Sequence, residues 1–417
     1  MATAVRGEWR ELWALPGYRR VMWSRIISNI GNGITPIALA FGVLDIKGAN
    51  GKSLSLVTGA HSVAVIIFML AGGVVADRFG RLRVVGLSDI VGSLIAGSSA
   101  VLLITGYATV PLLAVNGFVM GFLNAVWLPA YRGIIPQLVP AHLLKSANAL
   151  NGVFANVFMV TGAATAGVIV SVVGAGWGIL VDAVSFFVAG ILVFSLRRFD
   201  SNDVAPEDRE SPFAQMRGGW REFSSRGWLV GGALGSALYH FAFEGFIAVA
   251  GPVQAKQRWG GPRAWGLSMA GWGVGGLLGV IGTTRLHPRH PLRAGWMFLV
   301  ANSLWMFSVA AVLPVPVVFL GAVLGGATGD FNFFTALTTM QLNVPDESLA
   351  RVGSYTELGM VLFMPLGLAV AGPMVDAFGP TFVCTAAGIF AFFACMVPLM
   401  FPSLRNMEAP PLPVRAG

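Results

Sequence analysis

The chain has 417 residues, of which 55% are hydrophobic and 11% charged, with a formal net charge of +8 and a mean hydropathy of +0.74. A soluble chain carries about 25% charged residues to cover its surface, so this composition excludes a soluble globule, most soluble enzymes and a disordered chain. The 54 glycines and 23 prolines follow no collagen-like period, which excludes a fibre. What remains is a polytopic membrane protein with lipid as its main solvent.

The first twenty residues mix Glu8 and Glu11 with Arg6, Arg10, Arg19 and Arg20. They hold no short apolar run ending in small residues, so no cleaved signal peptide is expected and the first span acts as its own insertion signal. Runs of about 20 apolar residues cross a bilayer as helices. They are predicted near 20–46, 54–76, 83–106, 110–131, 143–171 and 176–196, and again near 227–251, 264–284, 294–312, 316–340, 349–373 and 380–401. The runs are long and continuous, unlike the short alternating strands of a membrane β-barrel. The prediction is an all-α membrane protein of twelve transmembrane helices. Cys384 and Cys395 lie eleven residues apart in the last run, about 16 Å along a helix, too far for a disulfide within one chain. Both read as small apolar filler. The five histidines are scattered, so neither a metal nor a cofactor is expected.

The basic residues orient the chain. With both termini cytoplasmic, 21 of the 27 Lys and Arg fall on the cytoplasmic side and five on the other (Lys47, Lys52, Lys256, Arg258 and Arg263), while Arg25 lies inside the first span. Such a bias is the positive-inside signature of a multi-pass protein of the cell membrane. It accounts for the net charge without a nucleic-acid patch.

One long polar segment, 197–226, divides the spans six and six, giving helical bundles at 1–196 and 227–417. Pro140, Leu144, Gly167 and Gly174 recur as Pro345, Leu349, Gly372 and Gly379, each displaced by 205 residues. The same displacement carries the first span onto the seventh. Two six-helix pseudo-repeats related about the membrane normal predict a transporter that rocks between two openings.

Between the second and third spans stands Gly73-Val-Val-Ala-Asp77-Arg78-Phe79-Gly80-Arg81-Leu82-Arg83. Gly73 permits close helix approach, Asp77 sets a carboxylate beside three guanidinium groups, and Gly80 allows the tight turn of so short a connection. A carboxylate here suits the positive end of a neighbouring helix. This segment resembles motif A (GxxxDRxGRxx) of the major facilitator superfamily. The resemblance implies a twelve-helix transporter fold in which the motif faces the eleventh span and latches the cytoplasmic side. Arg132, ending the fourth span, either joins that latch or is one more positive-inside charge. Leu128 to Pro140 with Ala147 to Leu150, its counterpart from Gln341 to Pro373, and Ser28, Gly31 and Asn32 resemble the macrolide-efflux and enterobactin-exporter-like branch of drug/proton antiporters. The chain departs from antiporter patterns in three places. Asn116 and Gly117 stand in the fourth span where an arginine is common, Asn32 stands in the first where an acid is common, and Gly162 and Gly167 in the fifth lack the usual Gly-Pro.

Ionisable groups inside spans are costly and usually face a cavity or a partner. Asp330 is central in the tenth span, His240 is central in the seventh with Glu244 one turn beyond on the same face, and Glu357 lies in the eleventh. These four are the candidates for proton exchange; His240 reads first as a neutral ring bonded to a backbone carbonyl or to Glu244. A cavity mixing amides with aromatics suits amphipathic compounds. Its candidates are Arg25, Asn29, Asn32, Asn116, Asn124, Trp127, Phe154, Phe158, Tyr239, Phe243 and Asn332. Asp89 and Asp182 read as structural acids. No GxxxxGK[ST] loop occurs, which argues against ATP drive, and no catalytic cluster points to an enzyme. The reading is a monomeric secondary exporter of amphipathic small molecules, partnered by protons and membrane lipid, with a lipid translocator or uncoupled facilitator as the alternative.

Overall fold

In the computed structural model the described residues are 2–200 and 212–409; at 2–6, 70, 71, 73, 74, 76, 77, 145, 212–216, 346, 347 and 350 only the backbone is described. Among the described residues all regular structure is helical. Hydrocarbon has no water to satisfy backbone N–H and C=O groups, so each apolar run must close its own hydrogen bonds.

The first span is Pro16–Asp45, with proline at its first position, where the missing N–H is not needed. It is followed by Gly51–Phe79, Arg81–Thr105, Val110–Arg132, Leu144–Val173 and Ala175–Phe194. The seventh span runs as Gly227–Gly245, a π-helical turn Phe246–Ala250, and Gly251–Arg258. The eighth is Gly261–Arg285, the tenth Val315–Asn343, the eleventh the helices Asp346–Val361 and Met364–Phe378, and the twelfth Pro380–Met396. Eleven of the described helical segments are long and apolar enough to cross a bilayer. The ninth, predicted as one run, is instead two nine-residue helices, Pro291–Leu299 and Asn302–Ala310. Tight i to i+3 bonds replace the regular ladder at the break: Ala301 N–H donates to Phe298 O at 2.9 Å and Ser303 N–H to Val300 O at 3.0 Å. Part of the polar linker is also helical, Pro212–Ser224, where Trp220 and Phe223 pack on Tyr355 with ring centres 5.5 and 5.7 Å apart.

The chain forms two compact units. One comprises residues 1–206 with 251–270 and 371–376; the other comprises 207–250, 271–370 and 377–417. In the first, Tyr18, Met22, Leu143 and Ala147 form one buried cluster, and Val21, Leu82, Val85, Ala130 and Val193 another. The 205-residue repeat has a local conformational basis. Gly174 and Gly379 link the fifth span to the sixth and the eleventh to the twelfth, with φ of +96° and +83°, a region that L side chains avoid. Pro140 and Pro345 hold nearly identical backbone angles, φ −56° and −57°, as they lead into the fifth and eleventh spans.

Without a hydrophobic force between helices in lipid, small residues that let backbones meet drive packing. The first and fifth spans touch at Gly33 and Gly162. A methyl group on Gly162 would overlap the Ile30 carbonyl and lie 3.0 Å from Gly33 Cα, whereas one on Gly152, in the same helix, meets nothing within 4 Å. Gly162→Ala is therefore expected to destabilise the protein by about 1–3 kcal/mol through overpacking. Gly152→Ala should leave it unchanged or stabilise it by up to about 1 kcal/mol through helix propensity. Thermal unfolding in detergent followed by tryptophan fluorescence measures both; equal midpoints would show that this approach is unimportant.

Candidate functional site

The second unit holds a partly open cavity of about 370 Å³. Ser236, Tyr239, His240, Phe243 and Glu244 reach it from one face of the seventh span because positions three and four apart lie one above the other on a helix. Trp272 comes from the eighth span, Trp296 and Asn302 from the ninth, Asp330 and Asn332 from the tenth, and Thr356 and Glu357 from the eleventh. The cavity thus gathers all four residues expected to exchange protons, together with Tyr239, Phe243 and Asn332. Tyr239 and Phe243 stack with centres 5.4 Å apart, and Phe243 lies 6.1 Å from the Trp272 ring. His240 Nδ1 lies 2.8 Å from the Ser236 carbonyl oxygen, as the backbone-bonded reading has it. An Nδ1–H donating there leaves Nε2 as the free ring nitrogen. Asp330 reaches back over the eighth span, where a methyl group on Gly276 would stand 2.6 Å from its Oδ2. Glu244 sits just before the π-helical turn, a feature that recurs at functional sites.

Asn302, Trp272 and Trp296 were not singled out from the sequence. Asn302 is buried, and its amide donates to the Tyr239 hydroxyl at 2.6 Å, a bond spanning 63 residues that no local pattern announces. No signal in the chain marked it, because the ninth span reads as one continuous apolar run.

A second polar grouping lies in the first unit. Arg25, 9% exposed, donates to Asn29 Oδ1 at 3.0 Å. Its guanidinium lies 4.5 Å above the Trp127 ring and 4.9 Å from that of Tyr131. The two rings stack at 4.7 Å, and the Tyr131 hydroxyl donates to Asn151 Oδ1 at 2.7 Å. Aromatic faces compensate a desolvated cation, which accounts for a buried arginine with an amide and two rings around it. Asp89 Oδ2 and the Trp127 indole N–H are buried and close enough to interact with each other, with the Arg25 charge nearby. Asp182 is 1% exposed and accepts from Thr35 Oγ1 at 2.5 Å.

The remaining cavity candidates lie elsewhere in this unit. Phe154 and Phe158 are in mutual contact at 5.9 Å and pack on the Tyr18 cluster. Asn116 donates to Ser98 and Ser99 at 3.0 and 2.8 Å. Asn32 is half-buried and Asn124 exposed.

The turn between the second and third spans is built on Gly80, with φ +89°. The Asp200 carboxylate, 4% exposed, accepts from the N–H groups of Leu82 at 2.8 Å and Arg83 at 3.1 Å, with Arg83 Nε 4.0 Å away. Asp200 therefore caps the third span from a point 118 residues along the chain, a role sequence spacing does not reveal. Arg81 donates to the Gly133 carbonyl at 3.3 Å, and Arg78 lies 5.7 Å from the Phe79 ring. Arg132 is exposed at the end of its span. Gly73 and Asp77 lie on the second span, but their surroundings fall outside the described residues.

A different junction in this unit involves the start of the second span. Asp376 accepts from the N–H groups of Gly51 at 2.8 Å and Lys52 at 3.1 Å. Lys256 pairs with Asp45 at 2.7 Å and also donates to the Leu44 carbonyl, and Arg263 donates to Ser171 at 2.7 Å.

The helix order and the Gly80 turn match a known family. The description "Major Facilitator Superfamily" fits residues 21–356. The chain belongs to this superfamily. Among its curated relatives is an uncharacterized transporter of the superfamily, YkuC of Bacillus subtilis, 28% identical over 43% of this chain and 41% of that protein. The multidrug efflux pump Tap of Mycolicibacterium fortuitum is 24% identical over 93% of this chain and 96% of its own length. The enterobactin exporter EntS of Salmonella typhimurium is 24% identical over 96% of each. Solved structures of similar shape include a bacterial homologue of the lysosomal transporter Spinster (TM-score 0.68, 15% identity, 95% of this chain and 99% of that one). The nucleoside transporter NupG is another (0.69, 14%, 93% and 99%). At these identities the structures speak to the fold alone. As a superfamily member the chain has the twelve-helix architecture expected from its apolar runs.

Removing the Asp200 cap leaves two helix N–H groups without their acceptor. Asp200→Ala is expected to cost about 1 kcal/mol and to speed amide hydrogen exchange at Leu82 and Arg83, with Asp200→Asn retaining most protection. Unchanged exchange in the alanine variant would remove the capping role.

Proposed function

We propose that the protein is a secondary exporter of amphipathic small molecules, driven by proton antiport through alternating access. The observation that carries this reading is the cavity of the second unit, which aromatic walls and three carboxyl groups (Glu244, Asp330 and Glu357) line together. Acids within membrane spans are costly and mark ion or substrate pathways. A carboxyl group that binds a proton in one opening and releases it in the other couples the proton gradient to substrate movement. The multidrug efflux pump and the enterobactin exporter among the full-length relatives support export as the direction. The bundles 1–196 and 227–417 are the rocking bodies, the motif with Asp77 is the cytoplasmic latch, and 197–226 is their linker. Both termini face the cytoplasm, and the functional unit is the monomer.

In that orientation the Asp376, Lys256 and Arg263 bonds lie at the outer end and act as an outer gate held shut. The two oxygens of Asp376 face the first N–H groups of a helix, where negative charge is favoured.

The coupling is tested in proteoliposomes. Wild-type protein should drive a fluorescent amphiphile against its gradient when a pH difference is imposed, and Asp330→Asn or Glu244→Gln should slow this at least tenfold. Movement that ignores pH in wild type and both variants would reassign the protein as an uncoupled facilitator. For the gate, a cysteine at buried Ser55 should react several-fold faster with an impermeant maleimide when Asp376 is changed to Ala; equal rates would remove the gating role.

A further inference from the structure

We propose that the protein carries a matched pair of interfacial anchors, one ahead of each half, that hold acidic phospholipid headgroups in the leaflet on the side of the N-terminus.

The pair is first visible as a repeat. Arg6-Gly7-Glu8-Trp9-Arg10-Glu11-Leu12 returns as Arg217-Gly218-Gly219-Trp220-Arg221-Glu222-Phe223, displaced by 211 residues. The same displacement carries the start of the first span, Pro16, onto the start of the seventh, Gly227. Each copy lies on a short helix, Ala2–Ala14 or Pro212–Ser224. An extended residue then interrupts the chain just before the span: Leu15, with φ −77° and ψ 111°, and Arg226, with φ −107° and ψ 97°. The interruption frees the short helix from the axis of the span it precedes.

Packing draws each helix sideways to the fifth span of its own half. Leu12 is buried in one cluster with Tyr18 of the first span and with Leu143 and Ala147 at the entry to the fifth. Phe223 is buried against Tyr355 near the start of the eleventh, with ring centres 5.7 Å apart. A helix that joins the ends of two spans lies across them, as an amphipathic helix does at a membrane surface. Six spans separate the two copies, so both emerge on the same side.

What each helix leaves open is a tryptophan and an arginine. Trp9 and Trp220 are 45% and 55% exposed, one turn before the buried Leu12 and Phe223 and so at the margin of the packed face. Indole rings, apolar with one N–H donor, concentrate at headgroup depth. Arg10 and Arg221 stand exposed beside them. The acid that follows is taken up within the protein in both copies: Glu11 bonds to His142 at 3.2 Å, and Glu222 pairs with Arg226 at 2.6 Å. Among the described residues neither Arg10 nor Arg221 is paired with an acid. Guanidinium groups match phosphate oxygens with paired hydrogen bonds, and an acidic headgroup supplies the charge that these arginines lack. A zwitterionic headgroup brings its own cation and matches them less well.

The test heats the purified full-length protein in detergent with dioleoyl phosphatidylglycerol (acidic) or dioleoyl phosphatidylcholine (zwitterionic) and follows unfolding by tryptophan fluorescence. Phosphatidylglycerol should raise the midpoint by several degrees more than phosphatidylcholine. Arg10→Gln combined with Arg221→Gln should remove most of that difference. Arg285→Gln combined with Arg405→Gln, which takes the same charge from exposed positions at other span ends, should keep it. Equal shifts with the two lipids in wild type would overturn the inference. So would equal losses in the two double variants, since the effect would then belong to bulk positive charge. Depth is measured separately in liposomes that contain phosphatidylcholine with a nitroxide on its headgroup. Trp9→Phe combined with Trp220→Phe should lower the fraction of fluorescence this lipid quenches, and an unchanged fraction would place both rings away from the headgroups and overturn the anchors. Because wild type ranks the two lipids by itself, a variant that folds poorly does not shield the inference.

Discussion

In hydrocarbon a polar group has no water to turn to. Every backbone N–H and C=O of a spanning segment must close within its own helix, and every buried side-chain charge must find compensation within the protein or in what it binds. The helices, the glycine approaches and the grouping of acids all follow from that one condition. It also explains why a chain with so few charges carries so much meaning in each of them. Nearly all lie outside the membrane, and those inside are gathered into small polar assemblies.

The assemblies solve the same problem differently. Around Arg25 the cation is compensated by an amide and two aromatic faces, all supplied by the protein. Asp182 accepts from the Thr35 hydroxyl on a neighbouring span. Asp200, outside the spans, has its charge matched by two N–H groups at a helix start. In the second unit Asn302 Oδ1 is buried without a partner, and Glu244 and Asp330 line one cavity whose described lining holds no lysine or arginine.

Helix irregularities sit where this chemistry is concentrated. The seventh span passes through a π-helical turn immediately after Glu244 and Gly245, and the ninth breaks just before Asn302. Interrupting the regular ladder is tolerated in a membrane protein where the freed groups are buried against protein or line a cavity. It also turns side chains off the regular helical spacing, so the same departures that strained the span count help to aim Asn302 at Tyr239.

Spans, pseudo-repeat and superfamily were determined by the sequence alone, because hydropathy, positive φ at glycine and a short charged turn are properties of neighbouring residues. Gly174 and Gly379 are legible as a pair since each must adopt the same left-handed angle to join two helices. The faces of the seventh span were legible too, since Tyr239, His240, Phe243 and Glu244 follow helical spacing. What only the tertiary structure decided is which distant partner each polar group meets. Asp200 reads as one acid among many in a polar linker until the third span is seen to start against it. Asn302 reads as an ordinary amide until its nitrogen is found bound to Tyr239 and its oxygen bare. Asn116 and Asn124 carry the same amide as Asn332, yet the latter lines the cavity and they do not. Side-chain chemistry is written in the chain, but compensation is a relation between helices, and relations across many residues exist only once the helices have packed.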